Sequence, residues 1–153
     1  MFDLYVDGDA CPVKDEVYRV ARRHDCKVFV VSHGRIRVPG DQRVEAIRVK
    51  PGLDAADDWI AEHVGEGDIA ITTDIPLAQR CLAKGAQVLT PNGREFTEDS
   101  IGNAIATREL MEHLRQMGET TPGPAAFTTG DRSKFLSRLH DLVAAFDRKK
   151  QGR

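Results

Sequence analysis

The sequence predicts an α/β fold in three layers, with a mainly parallel sheet covered by helices on both faces. Short apolar runs alternate with amphipathic segments along the chain, and turn residues such as Gly and Pro separate them. Parallel strands need a crossover connection, most often a helix, so this alternation indicates successive βαβ units. The 153 residues suffice for one domain and are too few for two ordinary ones. We therefore expect a single domain over residues 1–153.

Strands are expected where apolar residues run together and stop at turn residues. The predicted strands cover residues 2–6, 28–31, 44–49, 68–72 and 86–89, the third either as a further strand or as an edge. Helices are expected where apolar residues recur on one face, as Val13, Val17 and Val20 do. The predicted helices begin near Pro12, Asp54, Asp74, Glu98 and Asp131, and Gly85 is a suitable C-cap for the third.

Two further segments are expected to lie outside the layers. Residues 118–130 are rich in Thr, Pro and Gly, which predicts a mobile loop or lid. Residues 148–153 form a basic tail. A frayed end is favoured over a binding element for this tail, because chain termini are usually poorly ordered.

The composition indicates a soluble globular protein, with 41% hydrophobic and 30% charged residues. No apolar run approaches the roughly 20 residues that a membrane span needs, and the first residues lack the pattern of a signal peptide. The three cysteines, Cys11, Cys26 and Cys81, include no C-x-x-C pair. Reduced thiols are therefore expected, and with them a cytoplasmic location and no membrane partner.

The charge is unevenly distributed along the chain. The formal net charge of −2 excludes a polycation, so binding to nucleic acid would need a local basic patch. Residues 33–50 supply one, since five basic residues stand against Asp41 and Glu45, a balance of 5 − 2 = +3. Arg35 and Arg37 begin this basic segment and are candidate phosphate contacts.

Two aspartates directly follow predicted strands. Asp7 comes after the first strand, and Asp74 comes after the strand that contains Ile69 and Ile71. Ligands of an open parallel sheet bind outside the carboxyl ends of its strands, which is where both side chains should lie. Each aspartate could instead cap the helix that follows, since the N-terminus of a helix favours a carboxylate. Taken singly, neither position decides between the two interpretations.

A second acidic group opens the next predicted helix, where Asp54 is the expected N-cap. Asp57 and Asp58 are adjacent, so a helix separates their directions by about 100°, and Asp57 borders the apolar face. Like charges so close together are unfavourable unless a cation or an arginine neutralises them. A solvated acidic first turn is the alternative to a site.

Together these carboxylates predict a site for Mg²⁺ or Mn²⁺, both of which prefer oxygen ligands. Asp7, Asp58 and Asp74 are the expected metal ligands, and Asp57 either joins them or orients a water molecule. Such an ion lowers the pKa of bound water and assists displacement at phosphorus. The candidate substrate contacts, chosen mainly for their suitability to phosphate, are Asp9, Ser32, Arg35, Arg37, Asn92, Arg94 and Arg132.

The same stretches carry a resemblance that covers nearly the whole chain. They are VDGDACPVKDEV, DAADDWIAE, GDIAITTDIPLAQRCLAKGAQVL, PNGREFT and GDRSKFL, and they resemble the YaiI/YqxD family of uncharacterised bacterial proteins. More distantly, the chain is similar to PIN-like and NYN nuclease domains, which implies a PIN-like fold and metal-dependent cleavage, mostly of RNA. The implied site falls on Asp7, Asp57, Asp58 and Asp74.

Part of the nuclease pattern has no counterpart in this chain. Asp9 and Asp54 match positions at which the wider group does not fix an acid. A fourth acid is expected after the strand 86–89, where this chain has Thr90 and Asn92, and Asp99 is a possible substitute. With these departures, the activity that the resemblance implies is a metal-dependent phosphodiesterase acting on RNA, and less readily on DNA.

Two other functions stay open. Asp7 and Asp9, with Ser32 after the second strand, resemble the nucleophile loop of haloacid-dehalogenase-type phosphatases, in which one Asp attacks phosphorus. Against that interpretation, Cys11 replaces the expected Thr or Val, and no matching Lys is evident. The second alternative is a nucleic-acid-binding module that keeps the fold without catalysis.

Overall fold

The structure is a computed structural model that describes residues 2–52, 54–120 and 126–151. It contains one six-stranded sheet. The strands are β1 (Asp3–Asp7), β2 (Lys27–Ser32), β3 (Val44–Arg48), β4 (Ile69–Ile71), β5 (Gln87–Leu89) and β6 (Glu95–Phe96), and their order in the sheet is β3-β2-β1-β4-β5-β6. The first five are parallel, and β6 pairs antiparallel with β5. The predicted mainly parallel sheet is confirmed, with β3 at its edge.

Five helices cover the two faces of this sheet. They are α1 (Lys14–His24), α2 (Ala55–His63), α3 (Ile75–Ala83), α4 (Glu98–Gln116) and α5 (Thr129–Gln151), and a short 3-10 turn at Gly8–Ala10 follows β1. One core cluster joins α1 and α5 to the sheet, and a second joins α2, α3 and α4 to its other face. The three-layer α/β architecture is therefore confirmed.

Alternation along the strands explains the two clusters. Leu4 and Val6 of β1 point to the side of α1 and α5, whereas Tyr5 between them points to α2. Successive side chains of a strand face opposite sides, so strands buried on both faces are apolar at nearly every position. On the first side α5 contributes Phe135 and Leu139, both fully buried. Burying each of these side chains stabilises the fold by about 1.5–3 kcal/mol.

The ends of several elements differ from the predicted ones. α1 begins at Lys14 rather than Pro12, because the 3-10 turn ends at Ala10 and Val13, after the proline, occupies the N-cap position. Asp54 occupies the predicted N-cap position of α2, but it has φ +61° and its side chain makes no capping bond. β6 was not predicted, since two residues are too few to form a pattern.

The segment between α4 and α5 is shorter than the predicted loop. The predicted loop 118–130 ends earlier, because α5 already begins at Thr129, and residues 121–125 lie outside the described residues. α5 continues to Gln151, into the predicted tail 148–153, of which the last two residues are not described. Within the described ranges, every helix is too short or too polar to traverse a bilayer.

The strand order creates one topological switch point. The chain runs outward from β1 to β2 and β3, then returns across the sheet to place β4 on the other side of β1. The connections after β1 and β4 therefore leave in opposite directions and open a crevice at the carboxyl edge. In doubly wound sheets this crevice is the usual place for a ligand.

Candidate functional site

Asp7 lies at this switch point as the last residue of β1. Its carboxylate is partly buried and accepts a hydrogen bond from the Thr72 hydroxyl, 3.3 Å from Oγ1 to Oδ2. Burial raises the pKa of Asp7, the bond from Thr72 opposes that rise, and the charges of Asp9 and Asp74 add to it. The end of β1 thus holds a carboxylate whose charged form is disfavoured by its surroundings.

Asp74 stands opposite, in the turn after β4. Its Oδ1 accepts the backbone N–H of Leu77 at 2.8 Å, so it is the N-cap of α3. Its own N–H donates to Thr72 Oγ1 at 3.0 Å. The buried Thr72 hydroxyl therefore connects Asp7 to the cap of α3. The capping interpretation of Asp74 is confirmed, and it leaves Oδ2 without a protein partner among the described residues.

Asp57 is the third carboxylate at this edge and comes from the first turn of α2. Its pKa is raised to about 6, first by burial and then by the charges of Asp74 and Asp7, with smaller effects from Asp54 and Asp58. No described residue forms a hydrogen bond or an ion pair with its carboxylate. The carboxylates of Asp74 and Asp7, distant along the chain, are thus close enough for their charges to act on Asp57.

Asp58 lies beside Asp57 but has a different environment. Its Oδ1 is 2.7 Å from Nη1 of Arg80 on α3, and both side chains are about half exposed. The helical twist between adjacent residues explains the difference, because Asp57 turns to the sheet edge while Asp58 turns to α3. Asp58 is therefore neutralised by the protein, and its predicted role as a metal ligand stays a prediction.

Asp9 forms the outer rim of the site together with His33. The His33 ring places Nδ1 2.9 Å from Asp9 Oδ2 and Nε2 3.2 Å from the Gly52 carbonyl, and its backbone N–H donates to Asp9 as well. Both ring contacts are acceptors, so the imidazolium form satisfies them together. The bond to Asp9, and next that to Gly52, raises the pKa of His33. For Asp9, burial raises the pKa, but the hydrogen bonds from His33 outweigh burial and lower it.

Three predicted substrate residues lie at the end of β2 or directly beyond it. Ser32 is buried, and its hydroxyl donates to the Gly34 carbonyl at 2.7 Å, which stabilises the turn. Arg35 and Arg37 are exposed and flank Ile36, whose side chain lies against Gly8 in the turn after Asp7. The two arginines are thus carried beside the acidic edge, while Ser32 is engaged by its own turn.

The remaining predicted contacts lie in two other places. Asn92 and Arg94 belong to the tight turn between β5 and β6, where the Thr90 hydroxyl bonds both the Asn92 side chain and the Arg94 backbone. The Arg94 side chain is exposed. Arg132 instead binds the buried carboxylate of Glu16 at 2.6 Å, which ties α5 to α1. The structure therefore does not bring Arg132 to the acidic edge.

Comparison with known proteins gives the family. A sequence profile described as "Uncharacterized BCR, YaiI/YqxD family" matches residues 5–145. The chain belongs to the YaiI/YqxD family. Its relatives include a UPF0178 protein of Rhodopseudomonas palustris (strain BisB18), 55% identical over 95% of this chain and 94% of that protein. A UPF0178 protein of Nitrobacter winogradskyi is 59% identical over 92% of this chain and 89% of its own length. No solved structure matches the chain.

The YaiI/YqxD site offers a divalent cation suitable chemistry. Its donors are the carboxylates of Asp7, Asp57 and Asp74, which are hard oxygen ligands, and their mutual repulsion favours a positive ion between them. As they stand, no three His, Cys, Asp or Glu side chains of the described chain surround a common point closely enough to bind a metal ion. Mg²⁺ commonly uses one or two carboxylates and keeps several waters.

Sequence reasoning missed four residues at this edge. Thr72 and Arg80 hold Asp7 and Asp58, His33 holds Asp9, and the Lys14 ammonium donates to the carbonyls of Gly8 and Cys11 after β1. His33 lies two residues after the predicted strand 28–31, a position that could have identified it. Thr72 and Arg80 act on partners that are distant along the chain, and no spacing in the sequence indicates them, whereas Lys14 bonds carbonyls six and three residues before it.

Proposed function

We propose that this YaiI/YqxD-family protein is a phosphodiesterase that depends on Mg²⁺ or Mn²⁺ and acts on RNA in preference to DNA. One observation carries the proposal: Asp7, Asp57 and Asp74 come together at the switch point, where burial and then the charges of Asp74 and Asp7 raise the pKa of Asp57 to about 6. Such an arrangement opposes folding unless a ligand compensates for it. Carboxylates perturbed in this way at a crevice are typical of functional sites.

The residues divide into ligands and positioning groups. Asp7, Asp57 and Asp74 would hold the ion, which when bound supplies an activated water and charge stabilisation at the phosphate. Asp58 can join them only by leaving Arg80, to which it is bound at 2.7 Å. Thr72 fixes the carboxylate of Asp7 from below the site, and Asp9 and His33 fix the loops at its rim.

The exposed arginines support a polyanionic substrate. Arg35 and Arg37 lie on the segment that packs against the turn after Asp7, within the basic stretch 33–50. Contacts of this kind bind phosphates of the nucleic-acid backbone without reading bases, so affinity should fall steeply as salt is added. A cytoplasmic location fits the proposal, because Cys11 and Cys81 are buried free thiols.

The decisive test compares cleavage and binding. Purified protein with Mn²⁺ or Mg²⁺ is incubated with labelled single-stranded RNA, structured RNA and a small phosphomonoester. We expect RNA cleavage by the native protein and none by Asp57→Asn, which should bind RNA as well or more tightly because a negative charge is lost. Glu62→Gln, which removes an exposed charge from the same helix, is the matched control and should cleave normally.

Other outcomes assign the alternatives. Cleavage of the phosphomonoester alone would favour the haloacid-dehalogenase-type phosphatase, and RNA binding without turnover would favour the binding module. The variant Asp58→Asn tests whether Asp58 binds the metal ion or only pairs with Arg80. A loss of cleavage equal to that of Asp57→Asn would identify Asp58 as a metal ligand. Absence of metal uptake in calorimetry, with an unchanged melting temperature, would exclude both enzyme functions.

A further inference from the structure

A second cleft lies on the other face of the sheet, between α1 and α5. Its volume is about 430 Å³, and it is lined by Arg19, Val20, Arg23, Ser133, Leu136, Ser137 and His140. That volume is within the usual range of about 300–1,000 Å³ for small-molecule sites. None of the lining residues is acidic. Because α1 runs back from the carboxyl edge, the second half of the helix carries this cleft away from Asp7.

The α1 side of the cleft presents two arginines one helical turn apart. Arg19 and Arg23 are exposed and are spaced i, i+4, so their charges repel each other. Within the described residues neither forms an ion pair. On the same helix, Asp15 stands one turn before Arg19, but no ion pair joins the two side chains, and Glu16 is buried and already bound to Arg132. The fold thus maintains a doubly positive stripe that no described residue engages in an ion pair.

The α5 side presents polar groups at matching helical spacing. Ser133, Ser137 and His140 follow at i, i+4 and i+7, which puts them on one face of the helix. Nδ1 of His140 is 3.3 Å from Nε2 of His24, so its tautomer and orientation are constrained from behind. Its own Nε2 has no hydrogen-bond partner in the described part of the chain. Hydroxyls and an imidazole nitrogen therefore face the two guanidinium groups.

The floor between these polar stripes is apolar. Val20 of α1 is almost fully buried, and Leu136 of α5 packs partly against the same core cluster. A cleft with an apolar floor and convergent polar groups on its rim suits a small molecule with a flat or apolar part and a charged group. Arginine pairs suit phosphate in particular, because the guanidinium fork forms two parallel hydrogen bonds with its oxygens.

We propose that the α1–α5 cleft binds a phosphorylated small molecule of nucleotide size. Arg19 and Arg23 bind the phosphate. Further hydrogen bonds come from Ser133, Ser137 and His140, and the flat part of the ligand contacts Val20 and Leu136. The site is separate from the acidic edge and needs neither its aspartates nor a metal. Its occupation is therefore independent of the proposed phosphodiesterase activity.

Calorimetry without divalent metal tests this assignment. The probes are adenosine 5′-monophosphate, uridine 5′-monophosphate, inorganic phosphate and uncharged adenosine. We expect a nucleoside monophosphate to bind at least tenfold more tightly than adenosine and than inorganic phosphate. The double variant Arg19→Gln/Arg23→Gln should lose tenfold or more in affinity, and His140→Gln should lose about threefold. Circular dichroism checks that the variants fold, which relief of the Arg–Arg repulsion should assist.

Arg22→Gln is the matched control, since Arg22 is exposed on the same helix and does not line the cleft. It should change the affinity less than twofold. An equal loss in Arg22→Gln would show that only net charge matters and would overturn the proposal. So would millimolar probes that fail to bind, or inorganic phosphate that binds as tightly as the nucleotides. Asp57→Asn should leave binding unchanged, so this test and that of the acidic site fail or succeed separately.

Discussion

Replacing Asp57 by Asn should stabilise the protein at neutral pH when no metal is present. The pKa of Asp57 is raised from 3.8 to about 6, first by burial and then by the charges of Asp74 and Asp7. Each pH unit between the folded and unfolded values is worth about 1.4 kcal/mol, so the full effect would be about 3 kcal/mol. The side chain is only partly buried, and solvent screening reduces the expected gain to about 1–2 kcal/mol.

The sign and the pH window follow from the direction of the change. A raised folded-state pKa means that the folded protein holds its proton more tightly than the unfolded chain. The stability this provides is fully present below pH 3.8 and is lost as pH rises through about 6. The asparagine carries no charge at any pH. The variant should therefore match the native protein near pH 4 and exceed it above pH 6.

Urea unfolding followed by circular dichroism, at half-unit steps from pH 4 to pH 8, measures this difference directly. A gain of 1–2 kcal/mol corresponds to about 3–6 °C in melting temperature for a chain of this size. Glu62→Gln, an exposed charge on the same helix, should show no such rise with pH. A difference that is equal at pH 4 and pH 7.5, or a destabilised variant at pH 7.5, would refute repulsion among the three carboxylates.

Adding metal extends the same experiment. An ion that binds the folded state raises the melting temperature in proportion to ln(1 + [L]/Kd). Millimolar Mn²⁺ should therefore stabilise the native protein above pH 6 and should stabilise Asp57→Asn much less, so the gap between them closes or reverses. If both proteins respond equally to Mn²⁺, the ion binds elsewhere, even though the repulsion itself would stand.

Three further predictions concern single contacts. Thr72→Val should cost about 1–2 kcal/mol in urea unfolding, because it removes a buried hydroxyl that serves two partners, and Thr72→Ser should restore most of it. Because the pKa of His33 is raised, its charged bond to Asp9 is fully formed below pH 6.5 and is lost as pH rises through the raised value. Asp9→Asn removes the main cause of that rise and should lower the pKa of His33 in an NMR titration. Gly93→Ala should lower the free energy of unfolding by about 2–4 kcal/mol, since φ is +87° and the new Cβ would lie 2.8 Å from the α5 backbone. Gly118→Ala meets open space and should lower it by only about 1–2 kcal/mol, both measured by urea unfolding.

The layers of the fold follow from local patterns, which is why the sequence predicts them well. Residues 2–6 and 28–31 are apolar at nearly every position, as parallel strands buried on both faces must be. The ends of helices and strands are predicted wrongly where contacts with residues distant along the chain determine them. Between β1 and α1 the chain forms a 3-10 turn that packs against Val30 and Ile36, and no local signal reports that contact.

The candidate site could be predicted only as a set of acids. Their positions after β1 and β4, and in the first turn of α2, fix the edge of the sheet to which they belong. Which member of the adjacent pair faces that edge depends on how α2 rotates against the sheet. The buried Ala56 and Ile60 set that rotation and point Asp57 inward, so the apolar face favours Asp57 over Asp58. The partner of Asp58, Arg80, depends on α3 packing beside α2, which no spacing along the chain encodes.

The partners of the acids separate structural roles from functional ones. Asp58 is bound by Arg80 and Asp9 by His33, so the protein itself neutralises the acids at the periphery. Asp7 and Asp74 receive only hydrogen bonds from neutral groups, and Asp57 receives none from the described residues. An acidic cluster that served only to cap helices would gain stability by pairing its inner members as well. That the arginine and the histidine stop at the rim, while burial and the charges of Asp74 and Asp7 raise the pKa of Asp57, is the strongest physical reason to propose a cation between them.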